Sequence, residues 1–170
     1  MRNIFLIGYM GTGKSTVAAF ISKEYGLDVM EMDEMLVQKE GMSISDIFRN
    51  HGEEYFREVE TNLLKKICML TNQVVSCGGG VVLRSQNIEE MKKCGTIVLL
   101  SASPETILER VKGDSSRPLL QGNKNLAFIA DMLEQRRPKY EGAADIIVQT
   151  DGKRVSDICK EIFDKIERRG

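Results

Sequence analysis

The chain has 170 residues, of which 42% are hydrophobic and 29% are charged, and its formal net charge is −1. This length and composition predict one globular domain, covering residues 1–170, that buries a sizeable core. The near-neutral charge gives no general field that would attract nucleic acid or an anionic membrane, so any anion site must depend on local arginines and backbone dipoles.

Short apolar runs alternate with longer amphipathic segments along the whole chain. In chain order, the predicted elements are strand Asn3–Ile7, helix Lys14–Tyr25, strand Asp28–Met32, helix Asp33–Glu40, a helix from about Ile44 that is interrupted at Gly52, helix Glu53–Leu70, strand Val74–Cys77, helix Asn87–Lys93, strand Thr96–Ser101, helix Pro104–Lys112, helix Asn125–Tyr140, strand Ala144–Gln149 and helix Val155–Arg168. Strands that alternate with crossover helices predict a three-layer α/β fold, in which a mostly parallel sheet is covered by helices on both faces.

Two helix starts and one loop stand out from local residue chemistry. Ser43 with Asp46, and Ser103 with Pro104, have the residue types that begin helices. Residues 113–125 are rich in Gly, Ser, Pro and Asn and show little periodicity, which is typical of a loop. We expect a mobile lid at about residues 112–125.

The sequence contains no sign of export or membrane insertion. Met1–Ile7 is too short for the apolar part of a signal peptide, and no window approaches 18 apolar residues in a row. The four cysteines form no CxxC pair and no zinc pattern with His51. We expect a cytoplasmic protein that binds neither membrane nor nucleic acid and is a monomer.

Residues 8–15 read GYMGTGKS and match the phosphate-binding pattern GxxxxGK[ST] at every fixed position. The pattern follows a predicted strand and opens a predicted helix. Its glycines let backbone N–H groups turn towards phosphates, and the helix dipole favours the same negative charge. Lys14 is expected to reach the β- and γ-phosphates, and the Ser15 hydroxyl to bind Mg²⁺. The motif therefore predicts a P-loop NTPase fold and a nucleoside triphosphate site.

Two other classes of P-loop protein do not fit the sequence. A guanine-specific GTPase needs an NKxD motif, and residues 123–126 read NKNL, without the aspartate. A motor-type ATPase ends a buried strand in an aspartate that organises Mg²⁺ and water. The strands that end at Cys77 and Ser101 are followed by Gly78 and Ala102 instead. A small-molecule kinase remains, and it needs an acceptor site and a lid that excludes water.

Glu31 and Asp33 are the candidate residues for the acceptor hydroxyl. They lie at the carboxyl end of the second predicted strand, where ligands bind in open α/β sheets. Two positions apart, they are expected to share one face of an extended strand end. One carboxylate would hold a Mg²⁺-bound water, and the other would accept a hydrogen bond from the attacking hydroxyl. The alternative from sequence is a solvated acidic turn at a helix start.

Several other residues predict an anionic acceptor. Arg57 and Arg136 fall in helices, and arginine holds a carboxylate through two hydrogen bonds. The run 78–80 is three glycines after a strand, which favours close approach of a ligand to the backbone. Arg117 lies in the predicted lid, where it would deliver a positive charge on closure. For any single arginine, the alternative is an ordinary surface charge.

Together these residues resemble the shikimate kinase family over essentially the whole chain. In chain order, the shared motifs are GxxGxGKS at 8–15, an acid-x-Asp at 31–33, SIxDIF at 43–48, GExxFRxxE at 52–60, GGG at 78–80, RPLL at 117–120 and RxPxY at 136–140. The later motifs are individually unspecific, but seven in the correct order are highly specific. The resemblance implies a five-stranded parallel sheet of the nucleoside-monophosphate-kinase type. It also implies ATP-dependent phosphorylation of the 3-hydroxyl of shikimate, a step towards chorismate and the aromatic amino acids.

The resemblance also implies roles for matching residues. Asp33 would bind the ring hydroxyls and orient or deprotonate the 3-hydroxyl, and Lys14, Asp33 and Arg117 form the catalytic set. The implied substrate-binding residues are Asp33, Arg57, Gly78, Gly79, Gly80 and Arg136. The implied ATP-binding residues are Gly11, Thr12, Gly13, Lys14, Ser15, Thr16, Arg110, Arg117 and Arg154. Mg²⁺ would be held by Ser15 and, through water, by Glu31.

Two positions depart from the family pattern, and two alternative functions stay open. Many members have aspartate where this chain has Glu31, and residues 153–155 lack a proline that the adenine-contact segment would be expected to contain. A kinase for another small acid, such as gluconate, would also use two arginines. A non-catalytic nucleotide-binding module would need neither Asp33 nor Arg117.

Overall fold

The computed structural model describes residues 1–112 and 125–170. Among these residues, five parallel strands form one sheet in the order β2-β3-β1-β4-β5. The strands are β1 Asn3–Ile7, β2 Asp28–Glu31, β3 Gln73–Ser76, β4 Gly95–Ser101 and β5 Ile146–Gln149. The chain leaves β1 towards one edge of the sheet and leaves β3 towards the other. The crevice at the carboxyl ends of β1 and β3 is therefore the place where ligands bind in such sheets.

The helices follow the predicted segments closely. In the described residues they are α1 Lys14–Tyr25, α2 Met32–Glu40, α3 Ile44–Ile67, α4 Ser85–Cys94, α5 Pro104–Val111, α6 Leu126–Ala143 and α7 Val155–Arg169. The two predicted caps are confirmed. The Ser43 hydroxyl accepts a hydrogen bond from the Asp46 N–H at 3.1 Å, and the Ser103 hydroxyl accepts one from the Thr106 N–H at 3.2 Å. Gly52 has φ 85° and kinks α3 where an interruption was predicted.

Alternate residues of the sheet enter two separate cores, which confirms the three-layer arrangement. Residues such as Ile4, Leu6 and Val98 pack against α1 and α7 on one face. Their neighbours, such as Phe5 and Ile97, point to the other face and pack with residues of α2 to α6. This alternation is the period of two that a strand imposes on its side chains.

Several local features differ from the predictions, among them the end of α3, which lies at Ile67 and not at Leu70. β2 ends at Glu31 and α2 begins at Met32, so Asp33 lies in the first turn of a helix. The expectation that Glu31 and Asp33 share one face of an extended strand is therefore wrong. A carboxylate at a helix N-terminus is stabilised by the helix dipole, which favours this earlier helix start. In addition, α6 continues past Tyr140 to Ala143, and a short 3₁₀ turn, Val81–Leu83, follows the glycine run.

Almost all of the predicted lid, and with it Arg117, lies outside the described residues. Within the residues that are described, no helix has the length and apolar character needed to cross a membrane.

Candidate active site

The phosphate-binding loop connects β1 to α1 in a conformation that needs glycine. Gly8 has φ 146°, and a Cβ at this position would lie 2.5 Å from the carbonyl oxygen of Leu100. The loop is also held from within, because the Thr12 hydroxyl donates to the Tyr9 carbonyl oxygen at 2.8 Å. α1 begins at Lys14, directly after the loop, and the N-terminus of a helix favours binding of an anion.

Lys14 lies along the inside of this loop. Its ammonium group donates to the carbonyl oxygens of Gly8 at 2.6 Å and Tyr9 at 3.1 Å. The positive charge of Lys14 is therefore held at the loop. A bound phosphate would compete with the two carbonyl oxygens for the ammonium group.

A group of oxygen atoms lies beside the start of α1. The Ser15 hydroxyl donates to Glu31 Oε2 at 3.0 Å and lies 3.4 Å from the Ser76 hydroxyl. Burial raises the pKa of Glu31, whereas hydrogen bonds from Ser15 and Ser76 oppose the rise. Ser76 was missed by the sequence reasoning, although it is the last residue of β3 and directly precedes Cys77 and the glycine run.

This group of oxygen atoms fits a magnesium ion whose other ligands are phosphate and water oxygens. Hydroxyl and carboxylate oxygens are the donors that Mg²⁺ prefers. Among residues 1–112 and 125–170, no three His, Cys, Asp or Glu side chains cluster tightly enough to hold a metal. A bound ion would therefore need phosphate and water oxygens as further ligands, and Ser15 would be a residue that holds it.

The glycine run 78–80 forms a wall beside the phosphate loop, and side chains approach it closely. A Cβ on Gly78 would lie 2.9 Å from Glu60 Oε2 and 3.0 Å from Asp33 Oδ1. A Cβ on Gly80 would collide with the guanidinium group of Arg57. A side chain at Gly78 or Gly80 would therefore require Asp33, Glu60 or Arg57 to shift.

Arg57 is paired with a fully buried carboxylate. Its Nη1 lies 3.0 Å from Glu60 Oε1, and the side chains are 9% and 0% exposed. A second, exposed carboxylate oxygen, Oε1 of Glu53, lies 3.5 Å from Nη2. Burial raises the pKa of Glu60, and Arg57 opposes that rise. Glu60 Oε2 and Arg57 Nε are buried without a hydrogen-bond partner, so this pair retains polar atoms that a ligand could satisfy.

Arg136 reaches the same glycine run from α6. Its Nη1 donates to the Gly79 carbonyl oxygen at 3.3 Å, and the Tyr140 hydroxyl donates to the same oxygen at 2.6 Å. The guanidinium carbon of Arg136 lies 5.7 Å from the centre of the Tyr9 ring. Two arginines 79 positions apart in sequence thus meet one run of three glycines.

The other end of the phosphate loop contacts Arg110. Its guanidinium group donates to the Gly11 carbonyl oxygen at 3.0 Å and to the Thr150 hydroxyl at 3.2 Å. Asp151, which the sequence reasoning missed, accepts hydrogen bonds from the Thr106 hydroxyl at 2.6 Å and from Ser103. Arg110 therefore bridges the phosphate loop and the segment that follows β5.

The remaining predicted nucleotide residues lie at helix starts. Thr16 is an exposed residue in the first turn of α1, and Arg154 is the exposed residue that directly precedes α7.

The fold and the site define the class of protein: a P-loop kinase with a phosphate loop after β1 and a second polar site, built on arginines and glycines, after β3. The family model for shikimate kinase matches residues 10–167. A shikimate kinase from Thermodesulfovibrio yellowstonii is 41% identical over 168 residues, which cover 99% of this chain and 96% of that protein. The chain belongs to the shikimate kinase family.

Solved structures agree with this assignment. The shikimate kinase of Acinetobacter baumannii in complex with shikimate has a TM-score of 0.93 and 31% identity, covering 99% of this chain and 94% of that one. A gluconokinase from Sinorhizobium meliloti has a TM-score of 0.62 at 20% identity, covering 98% of this chain and 92% of that one. That second likeness shows a shared fold only.

Proposed function

We propose that this protein transfers the γ-phosphate of ATP to the 3-hydroxyl of shikimate and forms shikimate 3-phosphate, on the route to chorismate and the aromatic amino acids. The observation that carries the proposal is the meeting of Arg57 and Arg136 at the glycine run of a chain in this family. Both arginines are buried, so a carboxylate that reached them would be held in a partly water-free site, where charged hydrogen bonds are strong.

We propose that the acceptor acid binds between α3, α6 and the glycine run. Arg57 and Arg136 hold its carboxylate, and the backbone of Gly79 provides a further polar contact. Gly78 and Gly80 leave the space that the acid and the arginines need. Asp33 binds the ring hydroxyls, and it orients or deprotonates the one that attacks. This role is supported by the nearness of Asp33 to the glycine run, since a Cβ on Gly78 would lie 3.0 Å from its Oδ1.

ATP lies along the phosphate loop. The backbone of Gly11, Thr12 and Gly13 binds the phosphates, Lys14 neutralises developing charge on the transferred group, and Thr16 lies beside them in α1. Arg110 flanks the adenine, since it joins the loop to the segment after β5, and Arg154 lies on the same segment. Arg117, predicted from sequence alone, adds positive charge to the phosphates when the lid closes.

Mg²⁺ belongs to the same proposal, with the Ser15 hydroxyl as its protein ligand and Glu31 acting through water. When bound, the ion neutralises phosphate charge and orients the γ-phosphate. The hydrogen bond between Ser15 and Glu31 holds the hydroxyl in place, so Glu31 acts first by orienting Ser15. The monomeric state and the cytoplasmic location stay predictions.

A coupled assay of ADP formation with shikimate and with gluconate tests the proposal. We expect turnover with shikimate and none above background with gluconate, whereas turnover with gluconate alone would overturn the proposed substrate. Asp33→Asn should lower kcat about 10²-fold or more, the size usual for loss of a general base. An unchanged kcat would show that Asp33 does not take part in the reaction.

A further inference from the structure

Two buried polar residues connect the helix that carries Arg57 to the turn that carries the glycine run. The Thr61 hydroxyl donates to Asn87 Oδ1 at 2.8 Å, and Asn87 Nδ2 donates to the Val81 carbonyl oxygen at 2.9 Å. Thr61 is 2% exposed and Asn87 is fully buried. Water therefore does not compete for these hydrogen bonds, and each one constrains the groups that it joins.

The two ends of this connection lie next to the proposed acid site. Thr61 is one helical turn after Arg57 on α3 and directly follows Glu60. Val81 directly follows Gly80, and its N–H donates to the Gly78 carbonyl oxygen at 3.1 Å. Both backbone polar groups of Val81 are thus occupied, one by the glycine run itself and the other by Asn87.

We infer that Thr61 and Asn87 are positioning residues for the acid site, because they hold the glycine run at a fixed distance from Arg57. The Arg57 guanidinium lies so close to Gly80 that a single added methyl group would collide with it. Because the two groups are so close, a small shift of the turn relative to α3 changes the space between the glycine run and Arg57. The inference rests on the proposed function, since it concerns binding of the acceptor acid.

The matched variants are Asn87→Ala and Asn3→Ala. Asn3 is also fully buried and also makes two side-chain hydrogen bonds, to the Leu70 carbonyl oxygen at 2.8 Å and from the Gln73 N–H at 3.0 Å. It begins β1, at the opposite end of the sheet from the glycine run. We expect both variants to lose stability, but only Asn87→Ala to raise the KM for shikimate, about tenfold, which corresponds to about 1.4 kcal/mol. The KM for ATP should change less than about twofold in both.

A second pair keeps the inference falsifiable if Asn87→Ala does not fold. Thr61→Val removes the hydroxyl at nearly constant volume, and Thr61→Ser keeps it. We expect a higher KM for shikimate in Thr61→Val and near-parental values in Thr61→Ser. An equal rise in both KM values, or the same rise in Asn3→Ala, would overturn the positioning role.

Amide hydrogen exchange of residues 78–82 supplies a readout that needs no substrate. Exchange should be faster in Asn87→Ala and Thr61→Val than in the parent and in Asn3→Ala. Unchanged exchange in the first two variants would refute the connection itself. If the variants show these exchange differences but the parent enzyme does not turn over shikimate, the proposed substrate is refuted and the connection is not.

Discussion

The guanidinium group of Arg136 lies over the ring of Tyr9, with its central carbon 5.7 Å from the ring centre. Tyr9 belongs to the phosphate loop and accepts the Lys14 ammonium and the Thr12 hydroxyl at its carbonyl oxygen. The backbone of Tyr9 thus contacts Lys14, which is proposed to bind the phosphates. Its side chain contacts Arg136, which is proposed to bind the acid. The two halves of the site meet at Tyr9.

The first prediction separates the Tyr9 ring from its hydroxyl. The hydroxyl is buried without a hydrogen-bond partner, and burial raises its pKa, so it is present in its neutral form. Tyr9→Phe keeps the ring under Arg136 and removes an unsatisfied group. We expect the free energy of unfolding to stay constant or rise by about 1 kcal/mol. The KM for shikimate should stay within about twofold of the parent.

Tyr9→Leu removes the ring as well and serves as the contrasting variant. A cation–π contact is worth about 1 kcal/mol, so the KM for shikimate should rise about fivefold. Urea denaturation and steady-state kinetics on both variants provide the measurements. If Tyr9→Phe lost as much affinity as Tyr9→Leu, the hydroxyl and not the ring would be the group that matters.

The second prediction compares the two carboxylates paired with Arg57. Glu60 is fully buried, whereas the Glu53 side chain is 63% exposed. Glu60→Gln leaves a buried guanidinium without its neutralising partner and should lower the free energy of unfolding by about 3 kcal/mol. Glu53→Gln should lower it by about 0.5 kcal/mol or less, because exposed ion pairs are weak. If urea titrations gave equal losses of unfolding free energy for the two variants, burial would not determine how much each ion pair stabilises the protein.

The third prediction concerns the space at Gly80. Gly80→Ala drives a methyl group into the Arg57 guanidinium, so Arg57 must move. We expect the KM for shikimate to rise about tenfold or more, with the KM for ATP within about twofold. Gly142→Ala is the matched control, because Gly142 lies in α6 with open space around its Cβ position. That variant should gain up to about 1 kcal/mol of stability and keep both KM values.

The outcome at Gly80 that would contradict this account is an unchanged KM for shikimate with a folded protein. It would mean that Arg57 moves aside without loss, and therefore that its position is not part of acid binding.

Local patterns predicted those parts of the site that depend on neighbouring residues. The glycines of the phosphate loop, the start of α1 at Lys14 and the caps at Ser43 and Ser103 were all predicted, since their geometry is determined within a few residues. The start of α2 was predicted to within one residue, but the shared strand face expected for Glu31 and Asp33 was wrong, because acids at a strand end equally favour a helix start.

Residues whose roles arise from tertiary contacts could not be predicted. Glu60 and Tyr140 stood inside recognised motifs, but the complete burial of Glu60 and the contact of Tyr140 with Gly79 depend on how α3 and α6 pack on the sheet. The Tyr140 hydroxyl bonds a carbonyl group 61 positions away, and no local period signals such a contact. Ser76 lies beside Glu31 because β2 and β3 pair in a register that aligns the two residues, and no local pattern predicts that register.

The last prediction concerns Asp151, which joins the start of α5 to the segment after β5. Hydrogen bonds from the Thr106 hydroxyl, and then from Ser103, lower the pKa of this carboxyl group below its usual value. A lowered pKa in the folded state means that the carboxylate stabilises the fold above the unfolded pKa of about 3.9. This stabilisation is lost as the pH falls through the folded pKa. Asp151→Asn should therefore be less stable than the parent at pH 7, by about 1 kcal/mol since the group is partly exposed, and the difference should shrink below about pH 4.

The same variant tests the link between this cluster and the nucleotide. Thr150, the residue before Asp151, accepts a hydrogen bond from Arg110, which in turn bonds Gly11 of the phosphate loop. Loosening Asp151 should therefore raise the KM for ATP about threefold and leave the KM for shikimate nearly constant. Asp131→Asn, at an exposed position within α6, is the control for loss of one carboxylate and should change neither value. A larger effect on shikimate than on ATP would contradict the assignment, because it would place the cluster on the acid side of the site.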